Sequence, residues 1–220
     1  MDTKTEKTFE YAKSQSSKHP THDWHHTMRV WAIAKKIASN ETRQVNLEIL
    51  ELSVYLHDIA RQEEDDSESS IDHALLGSKK ARNQLEGLNY PKHIIDGVCH
   101  CIESHRFRKY KNDQHPSSIE AEILFDADKL DSIGAIGVAR AFSYAGENGY
   151  QLYRDLPEGY DGVSRDKNPD IHTANIEYEV KLKRIKGLLL TKPGKLIAEE
   201  RNDFMKVFFR RLEDEVKGIK

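Results

Sequence analysis

The chain is predicted to be all-α, and two observations carry that reading. Apolar residues recur three or four apart through most of its segments, and no segment sustains the period-two alternation of a half-buried strand. From Asp23 to Ala38 the residues Trp24, Met28, Trp31, Ile33, Ala34, Ile37 and Ala38 form one stripe, with Thr21 or Asp23 as candidate cap after Pro20. Leu47, Leu50, Leu52, Val54, Tyr55, Leu56 and Ile59 mark a second helix. It runs into the acidic, serine-rich stretch Gln62–Ser70, which reads as a solvated loop. His73–Leu88 and Ile94–Ser104 are the next two helices, separated by Asn89, Tyr90 and Pro91. Another spans about Ile119 to Tyr144, broken or capped near Gly134 and Gly137.

The segment Gly146–Thr173 departs from this pattern. It carries four of the 12 glycines and two of the six prolines with little periodicity, and reads as a long loop, in the position of a lid or an oligomer contact. Helix resumes over Ile176–Leu190 and again from Leu196 to Val216. In the last, Phe204, Met205, Phe208, Phe209 and Leu212 make a wide apolar face suited to a core or a homodimer surface. The 220 residues are expected to form one domain, with a core over about 21–140, the loop over about 146–173 and C-terminal helices over about 176–216.

Composition excludes several classes. Charged residues make up 32% of the chain, yet the formal net charge is only −3, which argues against a wholly disordered chain. It also removes a bulk electrostatic case for a nucleic-acid partner. No apolar run approaches a membrane span, and the polar start of the chain has no secretory h-region. Cys99 and Cys101 stand two apart on a predicted helix, where side chains diverge, so a disulfide is disfavoured and a zinc site lacks further thiolates. Reduced thiols and the absent signal together favour the cytoplasm.

The 11 histidines carry the chemistry. Three islands combine His and Asp in helical context: His22-Asp23-Trp24-His25-His26-Thr27-Met28-Arg29-Val30, then Tyr55-Leu56-His57-Asp58-Ile59-Ala60-Arg61, then Leu124-Phe125-Asp126-Ala127-Asp128-Lys129-Leu130-Asp131. His57 and Asp58 follow Val54-Tyr55-Leu56 and precede Ile59-Ala60. Burying an adjacent imidazole and carboxylate is costly unless they are paired or bind a metal. Separate helices that offer such groups to one interior point are what a metal site in a helical bundle needs. A lone histidine is more often a surface or hydrogen-bonded group than a ligand, and His19, His25, His93, His115 and His172 are read that way.

The ordered triplet resembles the HD-domain metal-dependent phosphohydrolases, over about Thr21 to Arg140. Thr191-Lys192 and Glu200-Arg201-Asn202-Asp203-Phe204-Met205 extend the likeness towards a bacterial nucleotide pyrophosphohydrolase-like subgroup. The resemblance implies an HD-type helical bundle with His26, His57, Asp58 and Asp128 as metal ligands. His26 matches by standing three residues before Arg29, and Asp128 by standing directly before Lys129. In a helix Asp126 is turned by about 200° from Asp128, so only one of them can face the metal, and spacing does not say which. Asp126 or Asp131 would then hold a ligand or Lys129 in place.

Two nitrogens and two carboxylates suit one divalent ion of the Mn, Mg, Fe, Ni or Co type. Asp58 or Asp128 would orient the attacking water, and Arg61, Lys129, His105 and Arg106 would meet phosphoryl charge. His73, His93, His100, His105 and His115 lie where binuclear relatives place two more histidines, which leaves room for a second metal. The expected substrate is a small phosphate or nucleotide, foremost a (deoxy)nucleoside triphosphate cleaved to monophosphate and pyrophosphate. A nucleotide 5′-phosphatase, a signalling-nucleotide phosphodiesterase and a non-catalytic nucleotide-sensing module are the alternatives.

Overall fold

A computed structural model describes residues 3–17, 19, 22–67, 70–106, 115–160 and 172–220. Their regular structure is helical, with no strand among them: α1 (Thr3–Ser14), α2 (Trp24–Ser39), α3 (Leu47–Leu56), α4 (Arg61–Asp66), α5 (His73–Gly87), α6 (Lys92–Ser104), α7 (Ile119–Asp131), α8 (Gly134–Glu147), α9 (Ala174–Val180) and α10 (Lys192–Val216). No helix among the described residues is long and apolar enough to cross a membrane. The chain divides into two compact units, Met1–Asp128 with Leu190–Pro193, and Lys129–Leu189 with Gly194–Lys220.

The first unit is built around α3, whose Leu50, Leu52, Val54 and Leu56 are fully buried. Its core joins Leu52, Tyr55, Leu56 and Ile59 to Ala81 and Leu85 of α5 and to Ile94, Ile95, Val98 and Ile102 of α6. Each buried aliphatic side chain of this kind contributes about 1.5–3 kcal/mol by leaving water. Asp23, Asn46 and Asp72 cap α2, α3 and α5, each accepting backbone N–H groups of the first turn. Thr21, the other candidate cap for α2, lies outside the described residues.

In this unit three elements differ from the sequence expectation. Helix α1 has little periodicity to announce it, because its buried positions are mostly polar (Thr5, Thr8 and Ala12). Phe9 docks it, meeting Trp24 edge-on at 4.9 Å and Tyr55 at 5.3 Å. The expected loop Gln62–Ser70 is helical as far as Asp66. Acidic residues in its first turn suit the helix dipole, and i,i+4 pairs between Arg61 and Asp65 and between Gln62 and Asp66 lace it. Glu68 and Ser69 of that stretch lie outside the described residues. The second helix stops at Leu56 instead of continuing to Ile59, since His57 takes the C-cap position.

In the second unit α7 ends at Asp131 and α8 begins at Gly134, whose φ of +79° is in the left-handed region that favours glycine. A Cβ there would fall 2.9 Å from the Arg201 side chain, which donates to the Leu130 carbonyl. Arg140 donates to the Asp131 carboxylate at 3.0 Å, so the turn is held from two helices. Tyr178 stacks on Phe209 at 4.4 Å and Phe142 packs against Phe208 and Phe209, so Met205 and Phe209 of the apolar face of α10 are buried while Phe204 is 48% exposed. The expected helix Ile176–Leu190 is two pieces, α9 and a 3₁₀ segment over Leu182–Gly187. Lys181 breaks it with φ −132° and ψ −60°. Residues 148–160 form no helix, and 161–171 of the expected loop lie outside the described residues.

Candidate metal centre

Helix ends do most of the aiming. Asp23 caps α2 by accepting the His26 backbone N–H at 2.9 Å, which sets His26 in the first turn with its ring fully buried. His57 terminates α3 and donates Nδ1–H to the Val54 carbonyl at 2.8 Å. His105 terminates α6 and donates Nδ1–H to the Ile102 carbonyl. A carbonyl oxygen only accepts, so both rings are held as Nδ1–H tautomers with the Nε2 lone pair turned inward. His73, the first residue of α5, donates Nδ1–H to Glu64 Oε2 at 2.7 Å.

These nitrogens converge on Asp58, which is 8% exposed. Its Oδ2 lies 3.1 Å from His22 Nδ1, 3.5 Å from His57 Nε2 and 3.7 Å from His26 Nε2. Its Oδ1 lies 3.2 Å from His73 Nε2 and 3.8 Å from His105 Nε2, and those two nitrogens are 3.2 Å apart. Asp128 Oδ1 approaches His26 Nε2 at 3.4 Å. Three overlapping groups therefore have the spacing to hold a cation: His22, His26 and Asp58; His26, His57 and Asp128; and Asp58, His73 and His105.

The electrostatics follow from that geometry. Burial opposes ionisation of Asp58, but the surrounding histidines outweigh it and hold the carboxyl well below the usual range. Burial and the neighbouring His73 and His57 hold the His105 ring neutral. For His73, hydrogen bonds to Asp58 and Glu64 outweigh burial and raise its pKa. Glu64 itself, 1% exposed, is held at about 2: burial would raise it, and His73 and Arg106 bring it down. His57 Nε2 is buried and meets no hydrogen-bond partner among the described residues. A buried lone pair aimed at two carboxylates is the donor a divalent cation requires, so the residues fit a bound metal.

The structure thus brings His26, His57, Asp58, Asp128 and His105 of the sequence-derived set together. Lys129 follows Asp128 on α7, half-buried. Arg61 pairs with Glu64 at 3.2 Å and Asp65 at 3.0 Å, and Arg106 also pairs with Glu64. Residues 107–111 of the basic stretch beginning at Arg106 lie outside the described residues. Asp126 faces away from the cluster and is fully buried, accepting the Leu190 and Thr191 backbone N–H groups and the Thr191 hydroxyl. Sequence reasoning left His22 and Glu64 without a role and named His73 only among five histidines that could serve a second metal. The signals were faint: His22 stands one helical turn before His26, and His73 directly follows the capping Asp72.

The HD domain model matches residues 23–133, about half of the chain. The uncharacterized protein YpgQ of Bacillus subtilis is 34% identical over 199 residues, covering 90% of this chain and 86% of that protein. The crystal structure of YpgQ in complex with ADP superposes with a TM-score of 0.72 at 30% identity, over 98% of this chain and 100% of that one. An HD-superfamily hydrolase from Bacillus thuringiensis gives 0.73 at 30% identity, over 97% of each chain. With histidines and aspartates from separate helices gathered at Asp58, the chain belongs to the HD domain family and is a metal-dependent phosphohydrolase of that superfamily.

Proposed function

We propose that the protein hydrolyses a phosphate bond of a nucleotide, foremost a (deoxy)nucleoside triphosphate to monophosphate and pyrophosphate. The observation that carries this reading is the buried Asp58 carboxylate, whose two oxygens face two different sets of histidine nitrogens. The ADP complex of the related YpgQ supports a nucleotide over other phosphate compounds.

His26, His57, Asp58 and Asp128 would hold one divalent cation, and Asp58, His73 and His105 provide a second position. A bound divalent ion supplies Lewis acidity and a water acidic enough to be ionised near neutral pH. The chain's own groups do the rest. Asp58 and Asp128 accept a proton or hydrogen bond from the attacking water and set its line of approach. The Val54 and Ile102 carbonyls keep His57 and His105 in the tautomer that presents Nε2. Arg61, Arg106 and Lys129 bring cationic charge for a phosphoryl group.

The test is a nucleotide panel with Mn²⁺ or Mg²⁺, resolving pyrophosphate from orthophosphate. Pyrophosphate release from triphosphates supports the reading. Orthophosphate from monophosphates identifies a 5′-phosphatase instead, and opening of cyclic or dinucleotide substrates a phosphodiesterase. Metal-loaded protein that binds nucleotides without turning any of them over would refute a catalytic role.

A further inference from the structure

Beside the histidine cluster sits a carboxylate that neither the resemblance nor the proposed ligand set uses. Glu64 lies on α4, only six residues after Asp58, and is 1% exposed. Its two oxygens gather donors from three separate elements. Oε2 accepts Nδ1–H of His73, the first residue of α5, at 2.7 Å, and lies 3.2 Å from Nη1 of Arg61, the first residue of α4. Oε1 accepts from Nη1 of Arg106, one residue beyond the C-cap of α6. Arg106 Nη1 also lies 2.8 Å from His73 Nδ1, so the guanidinium and the ring are in contact over the same carboxylate.

A buried acid of this kind is costly unless its partners need it. The geometry indicates what they gain. An imidazole that is not anchored at Nδ1 can turn about its side-chain bonds, and only one orientation keeps Nε2 3.2 Å from both Asp58 Oδ1 and His105 Nε2. Val54 and Ile102 supply that anchor to His57 and His105 through backbone carbonyls, but His73 begins its helix and has no preceding turn to use. Glu64 takes the place of the missing carbonyl. Its second oxygen then ties Arg106, whose side chain keeps about a fifth of its exposure, to the same spot. A guanidinium has five N–H donors, and a single carboxylate oxygen leaves others available to a phosphoryl group.

We propose that Glu64 is a positioning residue: it fixes the orientation of the His73 ring and holds Arg106 beside it, so that the group facing Asp58 and the guanidinium meeting the substrate's phosphate move as one unit. The proposal rests on the nucleotide-phosphohydrolase reading for its kinetic consequence but not for its structural one. The test uses full-length Glu64→Gln and Glu64→Ala proteins alongside wild type, each checked for folding by thermal melting. The first readout is the histidine side-chain ¹⁵N spectrum of zinc-free, metal-stripped protein at pH 8, with His73 assigned by its loss in His73→Gln. Wild type should show a slowly exchanging His73 Nδ1–H proton on its ¹⁵N, and Glu64→Ala should lose it. The second is kcat and KM on a nucleoside triphosphate at saturating Mn²⁺. Loss of an orienting partner of this type typically costs about 10- to 100-fold, expected in kcat for both variants. A several-fold rise in KM should accompany it in Glu64→Ala, where Arg106 loses its tether.

An unchanged His73 Nδ1–H signal in Glu64→Ala overturns the proposal, as does full kcat in a folded Glu64→Ala protein. If wild type turns over no phosphate compound, the functional reading fails by itself, and the Nδ1–H signal still decides the role of Glu64. If Glu64→Ala does not fold, Glu64→Gln carries the test: it keeps an acceptor for Nδ1–H but removes the charge that holds Arg106, and wild-type kcat and KM in that variant are equally fatal.

Discussion

Asp126→Ala separates two carboxylates that stand two residues apart and do different things. Asp126 accepts the Leu190 N–H at 2.8 Å, the Thr191 N–H at 2.8 Å and the Thr191 hydroxyl at 2.6 Å. Thr191 is fully buried, so truncation strands two donors that water does not reach, whereas Leu190 is 40% exposed and can be rehydrated. Each stranded buried donor costs about 1–3 kcal/mol. Against this, burial raises the Asp126 pKa, and removing the carboxylate returns part of that desolvation cost. The balance is a loss of about 3 kcal/mol, which for a chain of this length lowers Tm by about 6–12 °C. Thr191→Val, which removes only the hydroxyl bond, should cost about 1 kcal/mol. Denaturant unfolding and calorimetry read the stability, and metal analysis after dialysis against Mn²⁺ reads the site. Asp126→Ala should unfold early but bind metal, and Asp128→Ala should stay folded and lose metal. An Asp126→Ala protein melting within about 2 °C of wild type, or one that loses metal while Asp128→Ala keeps it, would refute the division of roles.

Other outcomes follow from the same geometry. Asp58→Asn removes the carboxylate shared by both candidate cation positions, so metal content should fall to background and turnover with it; a stoichiometric metal in this variant would exclude Asp58 as a ligand. Glu64 is held at about 2 against an ordinary 4.5, so its contribution is fully present above pH 4.5 and is lost as pH falls from there towards 2. Wild-type protein should exceed Glu64→Gln by about 3 kcal/mol at pH 6 and about 2 kcal/mol at pH 3.5, and urea titrations showing a gap that widens on acidification contradict the sign. Burial pushes the Cys101 thiol up to about 12. Its alkylation by iodoacetamide at pH 8 should be about 1,000-fold slower than that of an exposed cysteine, as peptide mass spectrometry after timed labelling would read. A Cβ at Gly137 would meet the Ser132 carbonyl oxygen at 2.3 Å, so Gly137→Ala should lose about 1–3 kcal/mol, measured by thermal melting.

Much of the helical frame was readable because α2, α3, α6 and α10 each present an apolar stripe of sufficient length. The failures have physical causes. Helix α1 buries threonines and one alanine, residues with little hydropathy contrast, and docks through Phe9 and Tyr11 alone among its large apolar side chains, so no stripe announces it. The stretch after Arg61 is so acidic that composition suggests a solvated loop. Yet Glu64 is drawn inside by His73 and Arg106, which come from distant parts of the sequence.

The same contrast runs through the site. By itself the sequence determined the helical class, the three His/Asp islands and, through a family likeness, the four residues His26, His57, Asp58 and Asp128. Those depend on local order: a histidine three residues before an arginine, an adjacent His-Asp pair, an aspartate before Lys129. The tertiary structure alone decided that Asp58 turns one oxygen to each set of histidines, that His73 and His22 join it, and that Asp126 anchors Leu190–Thr191 instead. Spacing along a helix fixes an angle about one axis. Where two or more axes bring their side chains is set by packing among residues far apart in the chain.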